Sequence, residues 1–498
     1  MARRARGKVA PAWWCEMGIP ACDDELELAL YTEDVGAVPS FLKRLARMRV
    51  PEAVFRPRTT AEAAELVRAC AREGLPLTPR GGASGGFGSV LPVRGAVVDT
   101  CGLRQGPELD ARRRLVRAGA GWTFAELDHW LARRGYALPC YPSSAPAATL
   151  GGWLAGGGYG VGTLRSGPFV AQVSEAEVVL PDGRVEVSRA VPSPGEPGEG
   201  GPLLSWLTGS EGTLGLVTSL TVRVDPMGER RAILLGAPEG DDGVATARLL
   251  EALGNSDRQP FCVHFAGTAF NRLVAQVDGQ RRQGGWPGEP RGTVEVWLHG
   301  PGAEVQAAEE VVREVSLRER WVDLGAAAAE AAWQDRFRAL RIRRSGPSLV
   351  GTDLLLPARC LGDFLRACQC LAARYRVRLV HYGYLVAPGT VLLMLMLLCD
   401  ERDPFRYVGH LGLVGLLTRL GFRYGARPYG VGLWNSAFVS QSTRRVLRQR
   451  KRMLDPGGLL SPGKMPARPW FMHPVPYRAG SAVMALLLFF GGARGAEG

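Results

Sequence analysis

Three glycine-dense segments in the first half of the chain set the tightest limit on its fold: PRGGASGGFG at 79–88, TLGGWLAGGGYGVGTLRSG at 149–167 and GSEGTLGLV at 209–217. Glycine reaches positive φ at little cost and puts no side chain between backbone amides and a ligand. Amides freed by such turns form nests for anions. The first segment follows Leu75, Pro76 and Leu77 and precedes Ala96, Val97 and Val98, so it reads as strand, turn, strand. Any one such segment is equally well a tight turn. Their ordered succession describes backbone wrapped round one large anionic cofactor. A Rossmann site needs G-x-G-x-x-G between strand and helix with an acidic residue about 20 positions on, and no window of the chain has that spacing. The glycines therefore belong to a different phosphate cradle.

A chain of 498 residues, 46% of them hydrophobic, can bury a sizeable core and is expected to form two domains. Its formal net charge of +13 would ordinarily point to nucleic acid. All but four of the 61 basic residues are arginine, the lysines being Lys8, Lys43, Lys451 and Lys464, and they are spread along the whole length. That is a compositional bias, and no nucleic-acid partner is expected. The run RRVLRQRKR at 444–452 reads as the solvated face of a helix. Ten cysteines without a C-x-x-C pair give neither a zinc nor an iron–sulfur pattern, and buried free thiols fit a reduced, cytoplasmic compartment. The N-terminus is basic but lacks the apolar core of a secretory signal. Near the other end, residues 479–493 run for fifteen positions without a charge. This is short of the roughly 20 needed to span a bilayer. The expectation is a helix docked on protein, with peripheral contact to a membrane as the alternative.

Helix and strand patterns alternate from about residue 40 to 225, with strand-like runs at 53–55, 96–99, 115–117, 173–180 and 216–224. The stretch SPGEPGEGGP at 193–202 reads as an exposed loop. Beyond 226 the pattern changes to longer amphipathic helices, one near 303–317, and apolar strands at 294–298, 354–356 and 391–398. No repeat emerges beyond the local glycine repetitions.

These segments, together with Tyr31-Thr32-Glu33-Asp34, the run RAGAGW at 117–122, YPSS at 141–144 and DPGGLLSPGK at 455–464, resemble the FAD-binding oxidoreductases of the vanillyl-alcohol oxidase superfamily. The similarity is to the glycolate oxidase and D-lactate dehydrogenase branch and covers nearly the whole chain. It implies an α+β protein: a PCMH-type FAD-binding domain at 40–225, a cap domain for substrate at 226–435 made of an antiparallel sheet and helices, and a return to the FAD domain at 436–466. An extension at 1–39 and a hydrophobic appendage at 467–498 flank them. The resemblance assigns FAD to the backbone of Arg80, Gly81, Gly82, Ala83, Ser84 and Gly85, with Ser143, Ser144, Thr149, Gly151, Gly152 and Gly156 completing the phosphate and ribityl contacts. It puts Gly160 near the flavin, and Gly212, Gly215 and Val217 at the adenine side or the isoalloxazine edge. Relatives that bind flavin covalently often do so through a histidine just after the first glycine pair. Ala83 and Ser84 cannot form that bond, so FAD is expected to be non-covalent.

On the substrate side the chain departs from that branch. Hydroxy-acid dehydrogenases of this kind usually carry two histidines near the equivalent of HYGYLVAPGT and a later Glu-His-Gly. Here only His381 remains of the first motif, and the later region reads GARPYGVGLWN. One candidate ligand is not a metal site, so no metal is expected. His381 is a candidate base, being an imidazole that titrates near neutrality, and equally a structural histidine at a strand end. In the loop at 425–435, Arg427 is a candidate for a substrate carboxylate, Tyr429 for proton transfer, and Asn435 is a further catalytic candidate beside them. Tyr429 and Trp434 have packing at the domain interface as their alternative.

The leading expectation is oxidation of a small hydroxylated, carboxylate-bearing substrate by hydride transfer to FAD, with electrons passed to a partner protein or quinone and homo-oligomers allowed. The competing readings are a non-redox transferase like the alkyl-dihydroxyacetonephosphate synthases, whose sites are rich in histidine where this chain has six in all, and an electron-relay flavoprotein subunit.

Overall fold

A computed structural model describes residues 11–36, 38–45, 48–189, 203–239, 243–278, 290–346, 348–467 and 473–491. The polar stretch at 193–202 lies outside them. Strands β1 (Ala21–Cys22), β2 (Val54–Phe55), β3 (Leu77–Arg80) and β4 (Ala96–Asp99) form a sheet of order β1-β2-β4-β3. Its β2–β4 and β3–β4 pairs are parallel. The crossover between β2 and β3 is the helix Thr60–Glu73, which starts at the Thr59 side-chain cap and stops at Gly74 with φ 65°. That is the polar-start, glycine-stop pattern of an isolated helical signal. Leu66 of this helix and Leu77 and Val98 of the sheet share one core with Val179 and Leu216 of the next sheet.

Strands β5 (Glu108–Asp110), β6 (Leu115–Gly119), β7 (Tyr136–Ala137), β8 (Val173–Val179), β9 (Val185–Arg189), β10 (Leu216–Arg223) and β11 (Asp225–Pro226) follow. Five of them make an antiparallel sheet of order β5-β6-β10-β8-β9, while β7 pairs with β11. The strand-like runs read from the sequence coincide with these elements to within a residue or two, because each alternates or is apolar throughout.

An eight-stranded antiparallel sheet occupies the second half: β12 (Glu229–Gly236), β13 (Cys262–Ala266), β14 (Thr293–Gly300), β15 (Val322–Asp323), β16 (Ser348–Pro357), β17 (Leu379–Ala387), β18 (Thr390–Cys399) and β19 (Arg427–Pro428), in the order β15-β12-β14-β13-β17-β18-β16-β19. Both faces are buried. Val263, Phe265, Leu385, Leu393 and Leu395 pack under helices that contribute Leu249, Leu253, Phe364 and Leu417. Tyr382, Tyr384, Leu392, Met394 and Met396 point the other way, into a core shared with Phe124, Trp153 and Phe169 of the first half. This second face is the wall against which the glycine segments stand. The architecture is thus α+β in two halves that meet along the sheet.

The apolar tail forms the helix Pro474–Gly491, which lies on the helix Pro404–Phe422. Glycine makes the close approach possible. A Cβ on Gly409 would stand 2.7 Å from Leu488, and one on Gly412 would stand 2.6 Å from the backbone nitrogen of Ala485. Ser481, Ala485 and Leu488 are buried in that seam, while Val483 and Leu486 on the opposite side are exposed. Among the described residues no helix is long and apolar enough to cross a membrane.

Candidate functional site: a glycine cradle facing the sheet

The loop after β3 is built from the backbone outward. Among the described residues no backbone N–H between Gly81 and Phe87 donates a hydrogen bond to protein, although backbone donors near a protein interior are nearly always paired. Ala83 sits at φ 50°, a left-handed conformation that non-glycine residues rarely hold outside functional turns. The loop is pressed on residues 147–149: a Cβ on Gly81 would be 2.4 Å from Thr149 Oγ1, and one on Gly82 would be 1.7 Å from the carbonyl oxygen of Ala147. Its far end is tied by Asp34, whose carboxylate accepts from the amides of Gly36 and Gly88 at 2.8 Å each. Burial outweighs those bonds and pushes the Asp34 carboxyl up to about 6. Arg80 donates from its guanidinium to the carbonyl of Glu33 and lies over the Tyr31 ring, 5.1 Å from its centroid.

The second wall comes from the helix Leu150–Gly156, which Thr149 caps by accepting from the amide of Gly152. A Cβ on Gly156 would meet no protein atom within 4 Å, so the helix shows a bare face to the space in front of it. Ser144 Oγ lies 3.3 Å from Ser84 Oγ and joins this wall to the first loop. Glu211, held at φ 53°, supplies the third connection. Its carboxylate accepts from the amides of Val431 and Gly432 at 2.8–2.9 Å. Burial raises the Glu211 carboxyl above its ordinary range, and the positive charge of Lys464 opposes the shift. Lys464 is itself buried, which lowers its ammonium to about 7, and it donates to the carbonyl of Ser89. The closing DPGGLLSPGK segment clamps the cradle from behind. Asp455 accepts from the amides of Leu459 and Leu460, and that turn bonds to both backbone groups of Leu77 at the start of the loop strand.

These walls and the sheet enclose a cavity of about 460 Å³. Arg80, Gly81, Gly82, Ala83, Ser84, Gly85, Ser143, Ser144, Thr149, Gly151, Gly152, Gly156, Gly160, Gly212, Gly215 and Val217 all line it. Across from them stand Tyr382 and Tyr384 of β17, Met394 and Met396 of β18, Gly351 and Asp353 of β16, and Arg343 from the 3-10 turn Ala339–Ser345.

Of the four residues the sequence offered for catalysis, two reach this space. Tyr429 lines it; its hydroxyl accepts from the amide of Tyr159 at 3.1 Å, and burial pushes the phenol up to about 12. Asn435 also lines it, but its amide nitrogen donates to the carbonyl of Gly430 and closes its own loop. Arg427 does not. It is exposed on the two-residue edge strand β19, opposite Leu355, where its side chain answers to solvent. His381 is not among the lining residues either. It pairs with Leu395 on the helix-covered side of the sheet, its ring against Gly267, and burial drives its imidazole down to about 4. The alternation of β17 decides this, because Tyr382 and Tyr384 take the cavity face and leave His381 the other. The sequence reading passed over Asp353 and Arg343. Asp353 carried a usable signal: a lone carboxylate in the apolar run at 349–356. Among the described residues no group of three or more histidines, cysteines or carboxylates converges as a metal site would.

The cradle fits a dinucleotide phosphate. It offers unpaired amides, a left-handed turn, a bare helix face and the half-buried Arg80 guanidinium at one end. Residues 51–188 match the FAD binding domain family, and residues 272–465 match the C-terminal domain of FAD linked oxidases. The D-lactate dehydrogenase of Archaeoglobus fulgidus is 25% identical over 438 residues, covering 83% of this chain and 90% of that protein. The glycolate oxidase subunit GlcD of Bacillus subtilis is 23% identical over 441 residues, covering 84% and 90%. The fold is shared with p-cresol methylhydroxylase with substrate bound, at a TM-score of 0.76 and 18% identity over 90% of this chain and 94% of that one. Two matches that together take in most of the chain, the relatives that span them and the cradle itself lead to one assignment: the chain is an FAD-linked oxidoreductase that joins an FAD binding domain to the C-terminal domain of FAD linked oxidases.

Proposed function

We propose that this flavoprotein oxidises a small 2-hydroxy acid, held between the bound FAD and the sheet, and passes the electrons to a partner protein or quinone. The reading is carried by one observation: the cavity that the cradle opens onto is walled on its far side by phenols, one carboxyl and one guanidinium set in an otherwise apolar surface. FAD supplies the acceptor for a hydride when bound. The protein supplies orientation and exclusion of water. Arg343, which lines the cavity and donates from its guanidinium to the carbonyl of Val35, takes the place of Arg427 as the candidate for a substrate carboxylate. The Tyr429 oxygen already accepts from the amide of Tyr159, so its proton remains to be donated to a substrate oxygen. Met394, Met396 and Leu392 exclude water from the space beside them. Ala83 and Ser84 line the cavity where a tethering side chain would stand, which supports non-covalent FAD. The names of two relatives, a D-lactate dehydrogenase and a glycolate oxidase subunit, favour 2-hydroxy acids as the substrate class.

The test is anaerobic loss of the flavin's visible absorbance across a panel of 2-hydroxy acids in both enantiomers, with simple alcohols as controls. Bleaching by one hydroxy acid and its slowing in Arg343→Met is the expected result. A flavin that no hydroxyl compound bleaches but a protein partner does would overturn the reading in favour of an electron-relay subunit.

A further inference from the structure

Oxidation of a hydroxyl group needs a place for its proton, and the position of His381 on the far side of β17 leaves that place to be found. Two carboxylates line the cavity, Glu211 and Asp353. Glu211 is spent, since both of its oxygens accept from the amides of Val431 and Gly432. Among the phenols that line the cavity, Tyr429 is held by the amide of Tyr159, and burial holds Tyr382, Tyr384, Tyr407 and Tyr477 above the ordinary tyrosine range. Asp353 differs from all of these. It lies on β16 directly across from Met394, on the face that carries Leu349 and Gly351 into the cavity. Its backbone carbonyl accepts from the amide of Tyr429. Among the described residues its carboxylate oxygens take part in no hydrogen bond or ion pair, and the residue is half-buried and lines the cavity. An unpaired carboxyl in an apolar wall costs stability, and such costs collect where chemistry is done.

We infer that Asp353 is the catalytic base, its carboxylate taking the hydroxyl proton of the substrate. The inference rests on the hydroxy-acid reading above. The O–H bond breaks and its proton passes to an Asp353 carboxylate oxygen. The adjacent C–H pair leaves as a hydride to FAD, the two-electron oxidant, and the carbon–oxygen bond becomes a carbonyl. The proton then leaves Asp353 for solvent as product departs. The groups that face Asp353 are Tyr382 from β17 and Tyr429 from the loop after β19; Arg343 lines the same side of the cavity, and Arg80 and Glu211 line the cradle side. Burial alone accounts for its elevation to about 7, which suits a base working near neutral pH.

The test uses the FAD-loaded full chain as wild type, Asp353→Asn and Asp353→Glu, each first shown to bind FAD equally. In rapid anaerobic mixing, wild-type flavin reduction should rise with pH to a plateau through an inflection near neutrality. Asp353→Asn should lose that limb and fall by about 10²–10⁴-fold, with partial recovery in Asp353→Glu. A second readout needs no turnover. The infrared difference spectrum of the oxidised protein between acid and alkaline pH should contain a protonated-carboxyl component that titrates near neutrality in wild type and is lost in Asp353→Asn, while the signal of Asp34, raised to about 6, remains in both. A wild type that bleaches alongside an Asp353→Asn variant within tenfold of its rate, or a band unchanged by the substitution, would overturn Asp353 and leave the hydroxy-acid reading standing. A wild-type flavin that no hydroxyl compound bleaches would overturn both.

Discussion

Two alanine substitutions in the cradle should act in opposite ways on the empty protein and alike on FAD. In Gly82→Ala the new Cβ would stand 1.7 Å from the carbonyl oxygen of Ala147, a backbone atom without side-chain freedom. A relaxed carbon–oxygen contact is about 3.3 Å, so the loop must retreat by roughly 1.6 Å from residues 147–149. A shift of that size carries amide–phosphate hydrogen bonds out of range. Losing two or three charge-assisted bonds of roughly 1.5–3 kcal/mol each removes about 3–9 kcal/mol, a roughly 10²–10⁶-fold weaker FAD complex. In Gly156→Ala the Cβ meets nothing in the protein. Replacing glycine at the end of a helix should stabilise the apoprotein by up to about 1 kcal/mol, yet the methyl group projects from the bare face where the cofactor is placed and should weaken FAD by tenfold or more. The assay is titration of apoprotein with FAD by quenching of flavin fluorescence, paired with denaturant unfolding of the same apoproteins. If Gly156→Ala binds FAD as wild type does while Gly82→Ala only loses stability, the cradle is a packing device and the cofactor lies elsewhere.

Other outcomes follow from single contacts. Glu211→Ala removes the acceptor of the Val431 and Gly432 amides and takes away the carboxylate that most favours the charge on Lys464, so we expect a loss of about 3–5 kcal/mol by denaturant unfolding, as when one partner of a buried charge set is deleted. The Asp353 carboxyl is raised by burial from 3.8 to about 7; a raised acid favours folding below its unfolded value and loses that contribution as pH climbs through its folded value. Apoprotein stability should therefore fall between about pH 4 and pH 7 by an amount bounded near 4 kcal/mol, at about 1.4 kcal/mol per pKa unit, and Asp353→Asn should flatten the drop. Gly412→Leu drives a side chain into the backbone of the terminal helix at Ala485, and limited proteolysis should then release the segment from 474 onward far faster than in wild type. Acid precipitation of the holoprotein should leave all flavin in the supernatant, whereas flavin retained in the pellet would refute non-covalent attachment.

The cradle was legible in the sequence because its glycines are demands of the backbone. Gly81 and Gly82 exist where the chain passes within contact distance of residues 147–149, and such approaches tolerate one residue type. The sheet strands were legible for a similar local reason. The far wall of the cavity was not. β17 is buried on both faces, so no polar alternation marks which parity meets the cofactor, and His381 and Tyr382 look equally eligible until the partner surface is known. Arg427 was misread because it sits in a glycine- and proline-rich loop of the kind that holds functional groups, while pairing with β16 leaves it exposed at the sheet edge. Asp353 asked for the converse inference: a charge in an apolar strand is costly, and that cost marks a site. The tail was read correctly as a helix that docks on protein, but the glycines of the helix Pro404–Phe422 that receive it were passed over because they lie in a different segment.

If an FAD held by the glycine cradle faces a sheet-walled cavity built to oxidise a 2-hydroxy acid, rapid anaerobic mixing of the purified flavoprotein with enantiopure 2-hydroxy acids should give full, single-enantiomer bleaching of the flavin with the matching 2-keto acid formed in equal amount. A flavin that stays oxidised with every hydroxy acid, while the protein binds FAD tightly, would contradict it.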